Sequence, residues 1–396
     1  MTLTLLATLL LGGGLASASP AELQPPVRLK VWGVFPVRVE SPGHAAPCWA
    51  DIDGDGKKDL LVGQYGGGKV RVYKNLGDGT LAAGVWLKAE GAVAKVPDVW
   101  CCTSSTPLLV DLDGDGRRDI LSGSYSRREK PMAGLFWVLH GQADGTFRQA
   151  EVLKGTDGEP LIIPLNGRPI SENIATRPFA VDWNADGRLD LVVGNASGTF
   201  YLFQGQGNGK FLPQPAPIMS GDQPLQIKGA HSDPFAVDWD GDGDLDLLSG
   251  SSEGGVQWAE NRATPGKMPR LETFRSLIEP GPQHEFMQIL RFEDIKGPVS
   301  STRIWVDDIN SDGKLDILVG DLAPLLSPAD GLTEAEYRKK FAAWDESRQG
   351  AADQRNATVG EKEREKATQH YYEVYKRRWE FMKEDVTGFV WLYLRK

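Results

Sequence analysis

Five segments of the chain place oxygen-bearing side chains at alternating positions around an invariant glycine. Counted from its first aspartate, each segment has aspartate or asparagine at positions 1, 3, 5 and 9 and glycine at position 6. Alternating positions of a tight loop can point to one centre, and glycine permits the sharp turn. Calcium takes six to eight oxygen ligands in flexible geometry, to which the backbone carbonyl of position 7 can contribute. The predicted ligands are Asp51, Asp53, Asp55, Lys57 and Asp59; Asp111, Asp113, Asp115, Arg117 and Asp119; Asp182, Asn184, Asp186, Arg188 and Asp190; Asp238, Asp240, Asp242, Asp244 and Asp246; and Asp308, Asn310, Asp312, Lys314 and Asp316.

Four other interpretations of these segments are less consistent with their residues. A helical EF-hand needs glutamate at position 12, where the first segment has Val62 within an apolar run. Transition metals favour histidine or cysteine, which the segments lack, and magnesium demands a stricter octahedron. Metal-free turns would leave the crowded carboxylates to repel one another. We therefore expect about five calcium ions, one per segment, with weaker binding where Asn184 and Asn310 replace a carboxylate.

The sequence around the five segments repeats as well. Their first aspartates are 60, 71, 56 and 70 residues apart, and each segment lies between two short apolar runs, with a third run following. Such units cannot bury their own faces, which is typical of β-propeller blades. We predict an all-β, five-bladed propeller, with seven blades as the alternative. An N-terminal strand at 29–39 is expected to complete the last blade and close the ring, which removes exposed sheet edges.

A polar stretch interrupts the last repeat. Thr333 and Glu336 form a capping-box pattern, after which Tyr337, Phe341 and Trp344 follow at helical spacing. A second aromatic stripe runs through Tyr371, Tyr375, Trp379 and Met382. We predict an α-helical hairpin inserted at 323–387 within the last blade. The stripes are expected to form the seam between the helices, and a docking surface for a protein partner is the alternative.

Charge and the chain termini restrict the classes of function. The formal net charge of −10 argues against nucleic acid and anionic lipid as partners. Residues 1–18 combine a short apolar run with an Ala-Ser-Ala site and are interpreted as a signal peptide, which leaves 19–396 as the propeller domain. We expect a secreted, extracellular or periplasmic protein with no membrane span. Cys48, Cys101 and Cys102 permit at most one intramolecular disulfide, with free thiols as the alternative.

The five acidic segments resemble the FG-GAP/VCBS-type repeats of bacterial secreted proteins and the calcium loops in the propeller of integrin α-subunits. The pattern shared with them is Asp-x-[Asp/Asn]-x-Asp-Gly-x-x-Asp-[Leu/Ile]-[Leu/Val]-x-Gly, in five copies that with their flanks cover roughly 29–322 and 388–396. The resemblance implies a propeller with one calcium ion in the hairpin loop between the first two strands of each blade. Function varies widely within such families, so the fold alone does not define it.

A binding or adhesion scaffold for a glycan or protein ligand is the favoured function, with structural calcium. Recognition is expected around the central channel, at the end opposite the acidic loops. A polysaccharide lyase or glycoside hydrolase is the alternative, with Asp233, Glu253 and Asp321 as the candidate carboxylates, because glycosidases need two carboxylates about 5–9 Å apart. A third possibility is an assembly component that docks through the helical insertion. The residues expected at the channel end are His44, Tyr65, Ser104, Tyr125, Asn173, Arg177, Asn195, His231, Asp233, Glu253, Arg303 and Asp321.

Overall fold

The computed structural model describes residues 23–40, 42–77, 79–97, 104–125, 134–285 and 287–396. The predicted signal peptide at 1–18 and the pair Cys101 and Cys102 lie outside these ranges. Cys48 is a buried free thiol.

Five four-stranded antiparallel units form the blades, as the repeats predict. The first strands are Ala45–Ala50, Leu108–Val110, Arg177–Val181, Asp233–Val237 and Ser300–Asp307. The second strands are Asp59–Gln64, Asp119–Ser122, Asp190–Gly194, Asp246–Gly250 and Asp316–Pro328. The third strands are Val70–Tyr73, Trp137–Leu139, Phe200–Phe203, Val256–Ala259 and Val390–Tyr393. The fourth strands are Val85–Trp86, Glu151–Val152, Ala216–Pro217, Arg275–Ile278 and, from the N-terminal end of the described chain, Val27–Arg28.

Short elements connect or extend the blades. The additional two-stranded hairpins are Lys30–Val31 with Phe35–Pro36, Lys88–Ala89 with Ala92–Val93, Gly205–Gly207 with Lys210–Phe211, and Met219–Ser220 with Gln223–Pro224. The 3₁₀ turns are Gly66–Gly68, Ile170–Glu172, Phe292–Asp294 and Arg377–Glu380.

The N-terminal segment closes the ring at a different place from the predicted strand. Val27–Arg28 pairs with the third strand of blade 5, Val27 opposite Leu392, whereas the prediction placed the strand at 29–39. The chain reverses at Trp32 and Gly33, both at positive φ, so the following residues form their own hairpin. The prediction therefore treated two short strands and the turn between them as one strand.

Each repeat ends in a glycine that forms the contact between blades. A Cβ atom built on any of these glycines would lie between 1.8 and 2.3 Å from a backbone carbonyl oxygen of the following blade, which no side chain can tolerate. The contact from Gly320 reaches Ala45, so blade 5 packs on blade 1 as the other blades pack on their neighbours. The glycines are Gly63, Gly123, Gly194, Gly250 and Gly320, and the carbonyls are those of Ser105, Thr176, Ser232, Thr302 and Ala45.

The apolar core lies between the blades and across the channel. The second strands are buried along the segments that form the blades, and Trp305 from the first strand of blade 5 packs against four separate clusters of buried residues. Phe179 and Phe235 lie beside it. The ring centroids of Phe179 and Phe235 are 4.5 Å apart, and those of Phe235 and Trp305 are 5.2 Å apart. These rings fill the channel of the propeller.

The helical insertion extends from blade 5 on a β-ribbon. The second strand of that blade continues to Pro328 and pairs with Met382–Thr387, and between them lie helices α1, Glu334–Ala357, and α2, Glu361–Lys376. Thr333 caps α1, because its hydroxyl accepts the Glu336 amide at 3.3 Å while the Glu336 carboxylate accepts the Thr333 amide at 2.8 Å. Trp344 packs in the insertion's own core and donates to the carbonyl of Val374 at 2.8 Å.

The second predicted stripe is only partly a helix seam. Tyr371 and Tyr375 stack along α2, but the helix ends at Lys376. Trp379 lies in the following 3₁₀ turn and is 47% exposed, and Met382 begins the ribbon strand. No helix in the described ranges is long and apolar enough to cross a membrane.

Candidate metal loops and channel end

The five acidic segments form the loops between the first and second strands of the blades, so all five lie at one end of the ring. Loops 1 to 5 are named here after their blades. The position-9 aspartate begins the second strand in every blade. Position 6 has positive φ in all five loops, and so does position 4, even where it is Ala185 or Ser311. The loops therefore share one left-handed backbone path that glycine favours.

Backbone amides of each loop are wrapped around its own acidic side chains. The position-1 carboxylate accepts the amide of position 6 at 2.9–3.0 Å in all five loops. The position-3 oxygen accepts the amide of position 5 at 2.9–3.4 Å. The position-5 carboxylate accepts the amide of position 7 at 2.8–3.2 Å. The loops are thus preshaped with their oxygens on the inside.

Carboxylates of three loops converge closely enough to share one cation. In loops 1, 2 and 4, one oxygen from each of positions 1, 3 and 5 lies within 4.8 Å of the others. The three sets are Asp51, Asp53 and Asp55; Asp111, Asp113 and Asp115; and Asp238, Asp240 and Asp242. Loops 3 and 5 have the same hydrogen bonds with Asn184 and Asn310 at position 3.

The position-9 aspartate has a structural role that the sequence did not indicate. Its side chain is buried in every blade, and one oxygen accepts the amide of a residue just after the third strand at 2.6–2.9 Å. In loops 2 to 5 its other oxygen accepts the amide of position 2 at 3.1–3.3 Å. This carboxylate therefore ties the loop to the third strand, besides being a predicted ligand. The five residues are Asp59, Asp119, Asp190, Asp246 and Asp316.

The residue that directly follows the third strand gives two of the loops a distinct neighbour. Lys74 in blade 1 places its ammonium 2.6 Å from Asp53, 3.3 Å from Asp55 and 2.9 Å from Asp59. His140 occupies the same place in blade 2, with Nδ1 3.3 Å from Asp119. The hydrogen bond that His140 donates to Asp119 raises the pKa of His140. The loop motifs contain no histidine, and their spacing does not indicate this contact because Asp119 and His140 are distant in the chain. The corresponding residues of blades 3, 4 and 5 are Gln204, Glu260 and Leu394.

Loop 4 concentrates the most negative charge. Burial, followed by repulsion from Asp242, Asp240 and Asp238, raises the pKa of Asp244 to about 6. Burial raises the pKa of Asp246 to about 7. Neither side-chain oxygen of Asp244 is within hydrogen-bonding geometry of a described partner, although both are buried. A buried carboxylate without a partner fits a cation at this place.

The opposite end of the channel carries a layer of charge. Each first strand, or the residue just before it, places one equivalent residue beside the channel. Four of these residues pair with the glycine that packs on the next blade, and Thr106 stands directly before Pro107. The five residues are Ala46, Thr106, Arg177, Asp233 and Arg303. Arg177 Nε lies 3.2 Å and Arg303 Nε 4.0 Å from the same oxygen of Asp233. The other oxygen of Asp233 accepts the Ile304 amide at 2.8 Å. Burial is the main cause that lowers the pKa of Arg177 to about 10, and it also raises the pKa of Asp233.

Four of the predicted channel-end residues form an aromatic row beside this layer. Ring centroids are 5.3 Å apart between His44 and Tyr65, 5.8 Å between Tyr65 and Tyr125, and 6.0 Å between Tyr125 and His231. Burial first, then Arg303, Arg177 and His231, holds the pKa of His44 well below its usual value. Ser104 and Asn173 are buried polar side chains.

The remaining candidates have other partners. Asn195 folds back on its own turn and accepts the Ser197 amide at 2.9 Å. Glu253 is 3.7 Å from Lys228. Asp321 is buried and accepts the Phe389 amide at 2.7 Å and the Trp391 indole at 3.1 Å. Asp233, Glu253 and Asp321 therefore each have different partners.

Comparison with known proteins agrees with the repeat pattern. Residues 51–97 and 182–249 match the FG-GAP-like repeat family, and these ranges contain loops 1, 3 and 4. A solved structure of an Agrocybe aegerita lectin that specifically recognises non-reducing terminal N-acetylglucosamine is 18% identical, with a TM-score of 0.36. The alignment covers 74% of this chain and 64% of the lectin chain, so this chain spans less than two thirds of that protein. The chain therefore contains FG-GAP-like repeats, which lie within a five-bladed propeller.

Proposed function

We propose that this protein is an exported, calcium-binding scaffold in which the ions stabilise the blade loops and the opposite end of the channel binds a ligand. The observation that carries the calcium assignment is the convergence of three carboxylates in loops 1, 2 and 4. Like charges at this spacing repel one another, whereas a divalent ion surrounded by oxygens removes the repulsion. The buried oxygens of Asp244 support the same interpretation.

A binding scaffold accounts for the channel end better than an enzyme does. Both oxygens of Asp233 already have partners, because one faces the guanidinium groups of Arg177 and Arg303 and the other accepts the Ile304 amide. Glu253 and Asp321 have separate partners. The aromatic row and the charged layer together provide rings and hydrogen-bond donors, which suit a glycan or peptide ligand.

Export is the setting in which weak calcium loops would be filled. Extracellular modules bind calcium at about 10⁻⁴ to 10⁻³ M, far weaker than cytosolic sensors. Residues 1–18 provide the corresponding export signal in the sequence interpretation. Comparison of the N-terminus of the mature protein with Ser19 would test it.

Calcium titration of the chelator-treated protein tests the calcium assignment. We expect uptake of about five ions by calorimetry, and free calcium at ten times the dissociation constant should stabilise each filled loop by about 1.4 kcal/mol. Asp238→Asn should weaken binding at loop 4, because it removes a converging charge, whereas Asp353→Asn on exposed α1 should not. An unchanged melting temperature after demetallation, together with no detectable uptake, would refute the proposal.

A further inference from the structure

We propose that the charged layer of Arg177, Asp233 and Arg303 binds one small anion, and that its natural occupant is a carboxylate group of the ligand. The inference deepens the ligand end of the proposed function. It does not depend on calcium in the loops at the other end.

The layer has more positive than negative charge. The side chains of Arg177 and Arg303 are only 4% and 3% exposed, and Asp233 is the single carboxylate between them at 11%. Among the described residues, Asp233 and Tyr125 act electrostatically on the Arg177 guanidinium. Arg177, Asp233 and Tyr125 act on the Arg303 guanidinium. A buried charge without a counter-charge is costly, so one further negative charge would stabilise the layer.

Both arginines have an Nε donor that makes no hydrogen bond with a described residue. Nη1 of Arg177 donates to the carbonyl of Ala175 at 3.1 Å, and Nη1 of Arg303 donates to the carbonyls of Ser301 and Thr302. These backbone contacts anchor the two side chains. The Nε atoms are buried and face the same oxygen of Asp233 at 3.2 and 4.0 Å, but neither makes a hydrogen bond of good geometry with a described residue. Two anchored guanidinium groups with unused donors form a preorganised anion site.

The adjoining cavity has room for a small anion. Its volume is about 40 Å³, and Arg177, Asp233 and Arg303 line it together with Phe235 and Trp305. One water molecule needs about 10–15 Å³ on this measure, so the space has room for a carboxylate group or a halide. Guanidinium presents parallel donors that match the two oxygens of a carboxylate, which favours carboxylate over halide. The rest of the ligand would lie outside this cavity.

Titration of the full-length, calcium-saturated protein with formate and acetate tests the site, with chloride and glucose as comparison solutes at constant ionic strength. We expect saturable binding of both carboxylates, weaker binding of chloride and none of glucose. Arg303→Gln should weaken formate binding at least about tenfold, because a hydrogen bond to a charged partner is lost. Asp233→Asn should instead strengthen it, because the competing carboxylate is removed while an oxygen remains for the Ile304 amide.

The opposite signs of these two changes distinguish an anion site from a structural cluster. Arg303→Lys keeps the charge without the planar donors and provides a second test if Arg303→Gln does not fold. Arg377→Gln, at an exposed pair in the insertion, is the matched control and should leave formate binding unchanged. Calcium uptake measured on the same variants should equal that of the unaltered protein, so failure of the anion site is separable from failure of the calcium loops. Absent formate binding, chloride binding tighter than formate, or equal affinity in all variants would overturn the proposal.

Discussion

Lys74 occupies the carboxylate cluster of loop 1 and should therefore compete with calcium there. Its ammonium is within 3.3 Å of Asp53, Asp55 and Asp59. Burial lowers the pKa of Lys74, but hydrogen bonds to Asp53, Asp59 and Asp55 outweigh that effect and raise the pKa overall. The side chain thus remains charged at every pH at which the loop could bind calcium. Lys74→Gln removes this internal cation while keeping a side chain of similar length.

The size of the effect follows from the three contacts. Partly exposed ion pairs contribute about 0.2–1 kcal/mol each, so the lysine stabilises the metal-free loop by about 1–2 kcal/mol in total. Calcium has to displace those contacts in the unaltered protein. Without them, the affinity of loop 1 for calcium should rise about five- to thirtyfold. The metal-free variant should lose the same free energy, because its three carboxylates are left uncompensated.

Melting curves in chelator and in calcium, together with calorimetric titration, measure both halves of this prediction. Lys74→Gln should melt below the unaltered protein in chelator, and the difference should vanish or reverse in saturating calcium. Lys88→Gln, at an exposed position in the hairpin after blade 1, is the control and should show neither effect. An equal loss of stability in both conditions, with unchanged calcium affinity, would show that Lys74 does not compete with a metal.

Three further predictions address the ring, the charge of loop 4 and the insertion. Gly63→Ala should destabilise the protein by about 1–3 kcal/mol, because the new Cβ would lie 2.3 Å from the Ser105 carbonyl oxygen. The control Gly350→Ala, in open space on α1, should stabilise the protein slightly. Equal melting temperatures of the two variants would contradict this prediction. Burial raises the pKa of Asp246 to about 7, so the folded, metal-free protein holds a proton that the unfolded chain releases above about pH 4. The free energy of unfolding of the metal-free protein should therefore fall as the pH rises from about 4 to about 7. Asp246→Asn should flatten that trend in chelator melts, and an identical slope in both proteins would refute the assignment. Replacing 329–381 by a short turn should leave a folded ring, because the helices pack in their own cluster with Leu326 and Met382; loss of cooperative melting would contradict it.

The parts of the fold that repeat locally could be predicted from the sequence, and those set by distant contacts could not. Five acidic loops flanked by apolar runs predict five blades, because each blade is built from neighbouring strands. Gly63 and its equivalents appeared only as the ends of apolar runs, since their close approach is to the next blade. The closing strand was placed at 29–39 instead of Val27–Arg28 because Trp32 and Gly33 reverse the chain within the predicted strand. Met382 was assigned to a helix, although its pairing with Pro328 places it in the ribbon.

The candidate sites follow the same division. The hydrogen bonds that shape each acidic loop are local, and their oxygens could be listed from spacing alone. What distinguishes one loop from another comes from the residue after the third strand, which lies 14 to 21 positions beyond the position-9 aspartate in blades 1 to 4 and 78 positions beyond it in blade 5. Lys74 brings a cation to loop 1 and His140 brings an imidazole to loop 2, so nearly identical motifs acquire different charges. At the channel end, Arg177, Asp233 and Arg303 are separated by more than fifty residues and become neighbours only because equivalent first strands surround one axis. Loop affinities should therefore follow the third-strand neighbours as well as the substitutions at Asn184 and Asn310. The calcium affinity of loop 1 should rise more on Lys74→Gln than that of loop 3 on Gln204→Met, since only the former substitution removes a charge.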